Sequence, residues 1–69
     1  MIKSNVSKRL MHAIIEQAVR LGLDSRTSRY DCGNSRVIII NDGKIEIDGL
    51  AGDFIIFEQD GDGWTLFAY

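Results

Sequence analysis

The hydrophobic and polar positions of the chain fall into two regimes. Between residues 5 and 21 the apolar side chains recur at helical spacing. Val6, Leu10, Ile14, Ala18 and Leu21 make one stripe, and Met11, Ile15 and Val19 a second beside it. At 3.6 residues per turn this predicts an amphipathic helix. Ser4 or Asn5 is placed to cap its start with a side-chain oxygen. Gly22 followed by Leu23 has the form of a Schellman ending. Arg9, His12, Glu16 and Arg20 share the narrow polar side. A helix that merely lies on a sheet needs an apolar arc of roughly 100° or a little more. The two stripes together are wider than that, so either the sheet curls around the helix or the helix touches something else as well.

Beyond residue 35 the period drops towards two. Arg36 to Ile40, Lys44 to Asp48, Asp53 to Glu58 and Trp64 to Tyr69 read as strands. The turn signals between them are Asn41-Asp42-Gly43, Gly49 to Gly52 and Gln59 to Gly63. Residues 24–35 are polar, with a turn signal at Cys32-Gly33-Asn34. Within them, Arg26 to Tyr30 is expected to form an edge strand beside Arg36 to Ile40, because an uninterrupted loop of this length is uncommon. The pattern predicts an α+β fold. An N-terminal helix packs on an antiparallel β-sheet of three to five strands in α-β-β-β-β, meander-like order.

Alternation assigns faces within each strand. Ile45 and Ile47 oppose Lys44, Glu46 and Asp48, so that strand has one wet side. The segments "VIII", "FIIF" and "WTLFAY" are apolar on both sides, and one helix covers only one of them. Leaving Ile38, Ile40, Ile55, Phe57, Phe67 and Tyr69 in water would forgo roughly 1.5–3 kcal/mol for each large side chain. Contiguous apolar patches of this kind mark interfaces. These six residues are therefore the expected dimer interface, the simplest cover being a second copy of the chain. The competing expectation is self-contained. Glu46, sitting between the first and third strands of a simple meander, would split the patch. Strong sheet curl, separately, would close both faces into a small half-barrel around the helix.

Composition narrows the picture. The chain of 69 residues begins with Met and is expected to be one complete small domain spanning residues 1–69. Chains this short bury little surface and usually gain a staple such as a disulfide, a metal or a partner. Cys32 is the only cysteine and His12 the only histidine, which excludes an intrachain disulfide and the usual structural zinc set. Of the staples, association with another protein remains. The lone cysteine fits a reducing compartment, so a cytoplasmic location is expected. His12, Glu16 and Gln17 interrupt the N-terminal apolar run, which excludes a signal peptide or membrane span there.

Charge is polarised along the chain. Residues 1–40 hold seven Lys and Arg against three acids, whereas residues 41–69 hold Lys44 against seven acids. No constellation in either half reads as an active site, and no cofactor or metal is expected. "EQDGDG", Glu58 to Gly63, imitates the start of a calcium loop, but its twelfth position is Tyr69 rather than a bidentate Glu and no helix follows. His12 and Glu16 lie one helical turn apart, an arrangement that ordinary i,i+4 pairing explains. Cys32 has no base beside it in sequence.

What remains is binding. Arg26, Arg29 and Tyr30 are the candidate contacts on the basic side, and Glu46, Asp48, Glu58, Asp60 and Asp62 those on the acidic side. In general make-up the chain is similar to accessory and inhibitor proteins of phages and mobile elements. The expected function is non-catalytic binding and steric occlusion of a partner protein, by a homodimer. The alternatives are nucleic-acid binding through Lys8, Arg9, Arg20, Arg26 and Arg29, or an acidic surface that imitates a phosphate backbone.

Overall fold

The structure, a computed structural model, describes residues 1–31 and 33–69. Its first element is a strand, β1 (Ile2–Val6), ahead of the helix α1 (Lys8–Arg20). The helix therefore starts later than its hydrophobic spacing predicts, and Val6 belongs to the strand. Ser7 caps it in place of Ser4 or Asn5. Its backbone is extended, with φ −71° and ψ 154°. Its Oγ accepts from the Leu10 amide at 3.1 Å. The far end closes as expected. Gly22 sits at φ 71°, the Leu23 amide donates to the Ala18 carbonyl at 3.0 Å, and the Gly22 amide donates to that of Val19 at 3.1 Å.

The remaining elements are β2 (Ser25–Arg29), β3 (Ser35–Ile40), β4 (Glu46–Ile47), β5 (Leu50–Ala51), β6 (Phe54–Asp60) and β7 (Gly63–Ala68). One antiparallel sheet has the order β1-β7-β6-β3-β2, and β4 and β5 form a separate two-stranded ribbon. The expected fold class is present: an α+β arrangement with the helix on an antiparallel sheet. The edge strand β2 pairs with β3 from Ser25↔Ile39 to Arg29↔Ser35. The unforeseen β1 adds to the far edge, pairing with β7 from Ile2↔Ala68 to Val6↔Trp64.

Between β3 and β6 the chain makes an excursion instead of a sheet strand. Asp42 and Gly43 both have positive φ, at 49° and 72°, and the Lys44 amide donates to the Asn41 carbonyl at 3.0 Å. That is a type I′ turn, at the place where the "NDG" signal predicts a hairpin. Its flanks do not pair with each other, because β3 is already paired with β6. A second turn with positive φ at Asp48 and Gly49 joins β4 to β5. Asn41 is fully buried and holds the excursion in place. Its Nδ2 donates to the carbonyls of Ile45 and Gly52, each at 2.9 Å, and its Oδ1 accepts from the Ile45 amide at 2.8 Å.

The core lies on one face of the sheet. Met11, Ile14 and Ala18 of α1 pack with Val37, Ile39, Ile55, Phe57 and Leu66, and Ile45 reaches in from the excursion. Two members of the expected interface are corrected here. The β3–β6 register sets Val37 opposite Phe57 and Ile39 opposite Ile55, so Ile55 and Phe57 point at the helix and are 1% and 0% exposed. The partners of Ile38 and Ile40 are Ile56 and Phe54. The parity between strands separated by 13 residues depends on their register, which alternation within each strand does not contain.

Candidate functional site

Two surface features bring predicted residues together, one on each side of the sheet. The first is the sheet face away from α1. Ile38 and Ile40 from β3, Phe54 and Ile56 from β6, Phe67 from β7 and Tyr69 beyond it form a contiguous apolar field. Phe54 is 43% and Tyr69 52% exposed, and the other four are half-buried. The sheet has β1 and β2 as its edges, and Phe54 and Tyr69 stay exposed on this face, so curl does not bury it. Glu46 does not split the field either, because it lies on the ribbon off the main sheet.

One end of this face is polar. The Tyr30 hydroxyl donates to Glu58 Oε1 at 3.1 Å. Arg36 Nε approaches the same carboxylate at 3.8 Å, and its guanidinium stands 5.9 Å from the centre of the Tyr30 ring. The Tyr30 phenol is held above its ordinary pKa of 10.0, first by desolvation and then by the Glu58 hydrogen bond and charge, with Arg36 opposing.

The second surface is a groove of about 370 Å³ between α1 and the ribbon. Leu10, Ala13 and Ile14 form one wall, Ile45 and Ile47 the other, and Val6 and Leu66 the floor. Part of the broad apolar arc of the helix goes here: Met11, Ile14 and Ala18 face the core and Leu10 borders the groove, while Val19 and Leu21 stand exposed outside it. The charged side chains at the groove are Glu46 and Asp48. Among the described residues, neither has a cation within ion-pairing distance.

The predicted contact residues are scattered over these surfaces. Arg26 and Tyr30 lie on the open face, with Arg26 3.8 Å from Asp24. Alternation along β2 sends Arg29 to the opposite side, so the expected basic trio is not one patch. The acidic set divides too. Glu58 and Asp60 share the open face by alternation along β6, Asp62 lies in the β6–β7 turn, and Glu46 and Asp48 border the groove. Of the basic residues considered for nucleic acid, Arg20 is tied to Glu16 at 2.9 Å and Arg26 to Asp24, while Lys8 and Arg9 stand on the exposed helix face. Glu16 pairs with Arg20, and among the described residues no hydrogen bond joins it to His12. Cys32 lies outside the described residues. No helix among the described residues is long and apolar enough to cross a membrane.

The groove itself was not foreseen. Its only sequence signal was the excess width of the helix's apolar arc. The fold and its two surfaces define a small α+β domain with one apolar sheet face and one acid-bordered groove. Comparisons with family models, with curated proteins and with solved structures give no match.

Proposed function

We propose that the protein is a non-catalytic protein-binding module of the regulator or inhibitor type, acting in the cytoplasm as a homodimer. Its groove takes an apolar side chain of a partner that carries Lys or Arg alongside, and steric occlusion of that basic surface is the mechanism. The observation that carries the reading is the pairing of an apolar channel with two carboxylates that have no counterion among the described residues. A groove of this size accommodates one or two side chains. Its acids favour cationic flanks and repel phosphates and acidic peptides. The same field disfavours nucleic acid as the occupant.

The test is an amide chemical-shift titration with a capped Lys-Leu-Lys peptide and its Glu-Leu-Glu counterpart. The expected result is movement of the Leu10, Ala13 and Ile45 to Asp48 resonances with the lysine peptide alone. Increasing salt weakens it, and the double substitution Glu46→Gln, Asp48→Asn abolishes it. Asn tolerates the positive φ at position 48, so the turn survives. Equal responses to both peptides, or shifts that avoid the groove, would refute the reading.

A further inference from the structure

We infer that the open sheet face binds the same face of a second copy about a two-fold axis lying across the strands, between two specific rows of side chains. The inference rests on the homodimer reading and names its register. Strand pairing arranges the face in rows. The first row runs Asp24, Ile40, Phe54, Tyr69. The second runs Arg26, Ile38, Ile56, Phe67, Lys3. The third, Ser28, Arg36, Glu58, Thr65, Asn5, is polar throughout.

A closed dimer of identical faces is isologous, so each trial axis dictates its own contacts. An axis along the central strand sets Lys3 over the partner's Arg26, a like-charge contact. An axis across the strands through the second row sets Phe54 over the partner's Glu58 and Ile40 over the partner's Arg36, which buries charge against apolar surface. An axis across the strands between the first two rows avoids both contacts, although at the β1 edge it brings Lys3 to the partner's Met1. It sets Ile40 on the partner's Ile38, Phe54 on the partner's Ile56 and Tyr69 on the partner's Phe67. At the edge it sets Asp24 on the partner's Arg26, twice by symmetry, and leaves the third row at the wet rim. Packed sheets cross at about 30°, and both Arg26 and Asp24 are exposed enough, at 79% and 58% of their side chains, to reach across that rotation.

Size sets the expected strength. Five strands spaced about 4.8 Å apart, over about 17 Å of strand length, give roughly 400 Å² in plan per copy. Two such faces bury on the order of 800–1,200 Å² together, the low end of specific interfaces. The association is therefore expected in the micromolar range and must be measured by dilution.

The experiment is light scattering on a size-exclusion column, from about 1 to 500 μM protein, with circular dichroism confirming the fold of every variant. The wild-type chain should pass from monomer to dimer across this range, and Ile56→Glu should remain monomeric. Asp24→Arg and Arg26→Asp should each weaken the dimer about tenfold or more, since each replaces two symmetric attractions by repulsions. The double exchange of the two residues should return affinity to within about threefold of wild type. A wild-type chain that is monomeric throughout would overturn the dimer and the register together. A wild-type dimer that ignores the charge variants, or that the double exchange fails to restore, would overturn the register and leave the dimer standing. A dimer that survives Ile56→Glu would show that it uses another surface.

Discussion

Replacing Asn41 by Ala should be one of the most damaging single changes in this chain. Asn41 is fully buried, and its amide makes three hydrogen bonds to the backbone at Ile45 and Gly52. The Gly52 carbonyl keeps a second donor, the Gly43 amide at 2.8 Å, so its loss is partial. Among the described residues, the Ile45 N–H and C=O have no such reserve. A buried polar group left without a partner costs about 1–3 kcal/mol, so the two together put the penalty near 3 kcal/mol. A domain of this size has roughly 3–10 kcal/mol in all. Urea unfolding followed by circular dichroism should show the midpoint fall with the slope unchanged. Amide exchange should show Ile45 opening first, because the excursion is released before the sheet.

Asn41→Asp sharpens the test, since it keeps the shape and the acceptor but loses the donor. At neutral pH the introduced carboxylate would face the two carbonyls that Nδ2 now serves. Burial and those carbonyls raise its folded pKa above the unfolded value of about 3.9. A raised folded pKa leaves the stability fully present below the unfolded value, and it drains away as pH rises through the folded one. This variant should therefore be least compromised near pH 4 and lose stability towards pH 7. A loss below about 1 kcal/mol for Asn41→Ala, or a pH-independent Asn41→Asp, would refute the account of Asn41 as the anchor of the excursion.

Two further outcomes follow from local geometry. A methyl group at Gly52 would overlap the Tyr69 carbonyl. Gly52→Ala should thus lower stability by about 1–3 kcal/mol by forcing backbone apart, read as a fall in urea midpoint. Tyr30 is held in its neutral form by desolvation and by Glu58. Its contribution to stability is present below the ordinary value of 10.0 and lost as pH rises through the raised one. Tyrosinate absorbance should show a late-ionising component that Tyr30→Phe removes.

Features of short range were legible in the sequence. The Gly22 helix end, the I′ turn at Asp42-Gly43, the edge strand before Tyr30 and the alternation within each strand all depend on neighbours a few residues apart. What the sequence concealed depends on pairing at a distance. Residues 2–6 carry Ile2 and Val6 around polar positions. Such a segment continues a helical stripe or forms a strand equally well until β7 is there to pair with it. Asn41 reads as an ordinary turn residue until its burial is known. The side to which Ile55 and Phe57 belong follows from a register that skips the whole excursion. The groove is legible only as the surplus of Leu10 in the helix's apolar arc.

The two proposed surfaces have different consequences because they lie on opposite sides of one sheet. In a dimer closed through the open faces, the helices and grooves point outwards in a four-layer α-β-β-α sandwich. The two grooves cannot both reach one short segment, so each copy must engage its own site. A partner that is itself multimeric, or that repeats its basic segment, then meets the second groove at a raised effective concentration. Apparent affinity rises without any new contact. Breaking the dimer with Ile56→Glu should leave the binding of a single Lys-Leu-Lys peptide unchanged, while weakening capture of a tethered pair of such peptides by about a hundredfold. Surface plasmon resonance at low and high peptide density separates the two. Equal loss at both densities would mean that the open face and the groove are coupled within one chain, and that the substitution disturbs the groove through the sheet.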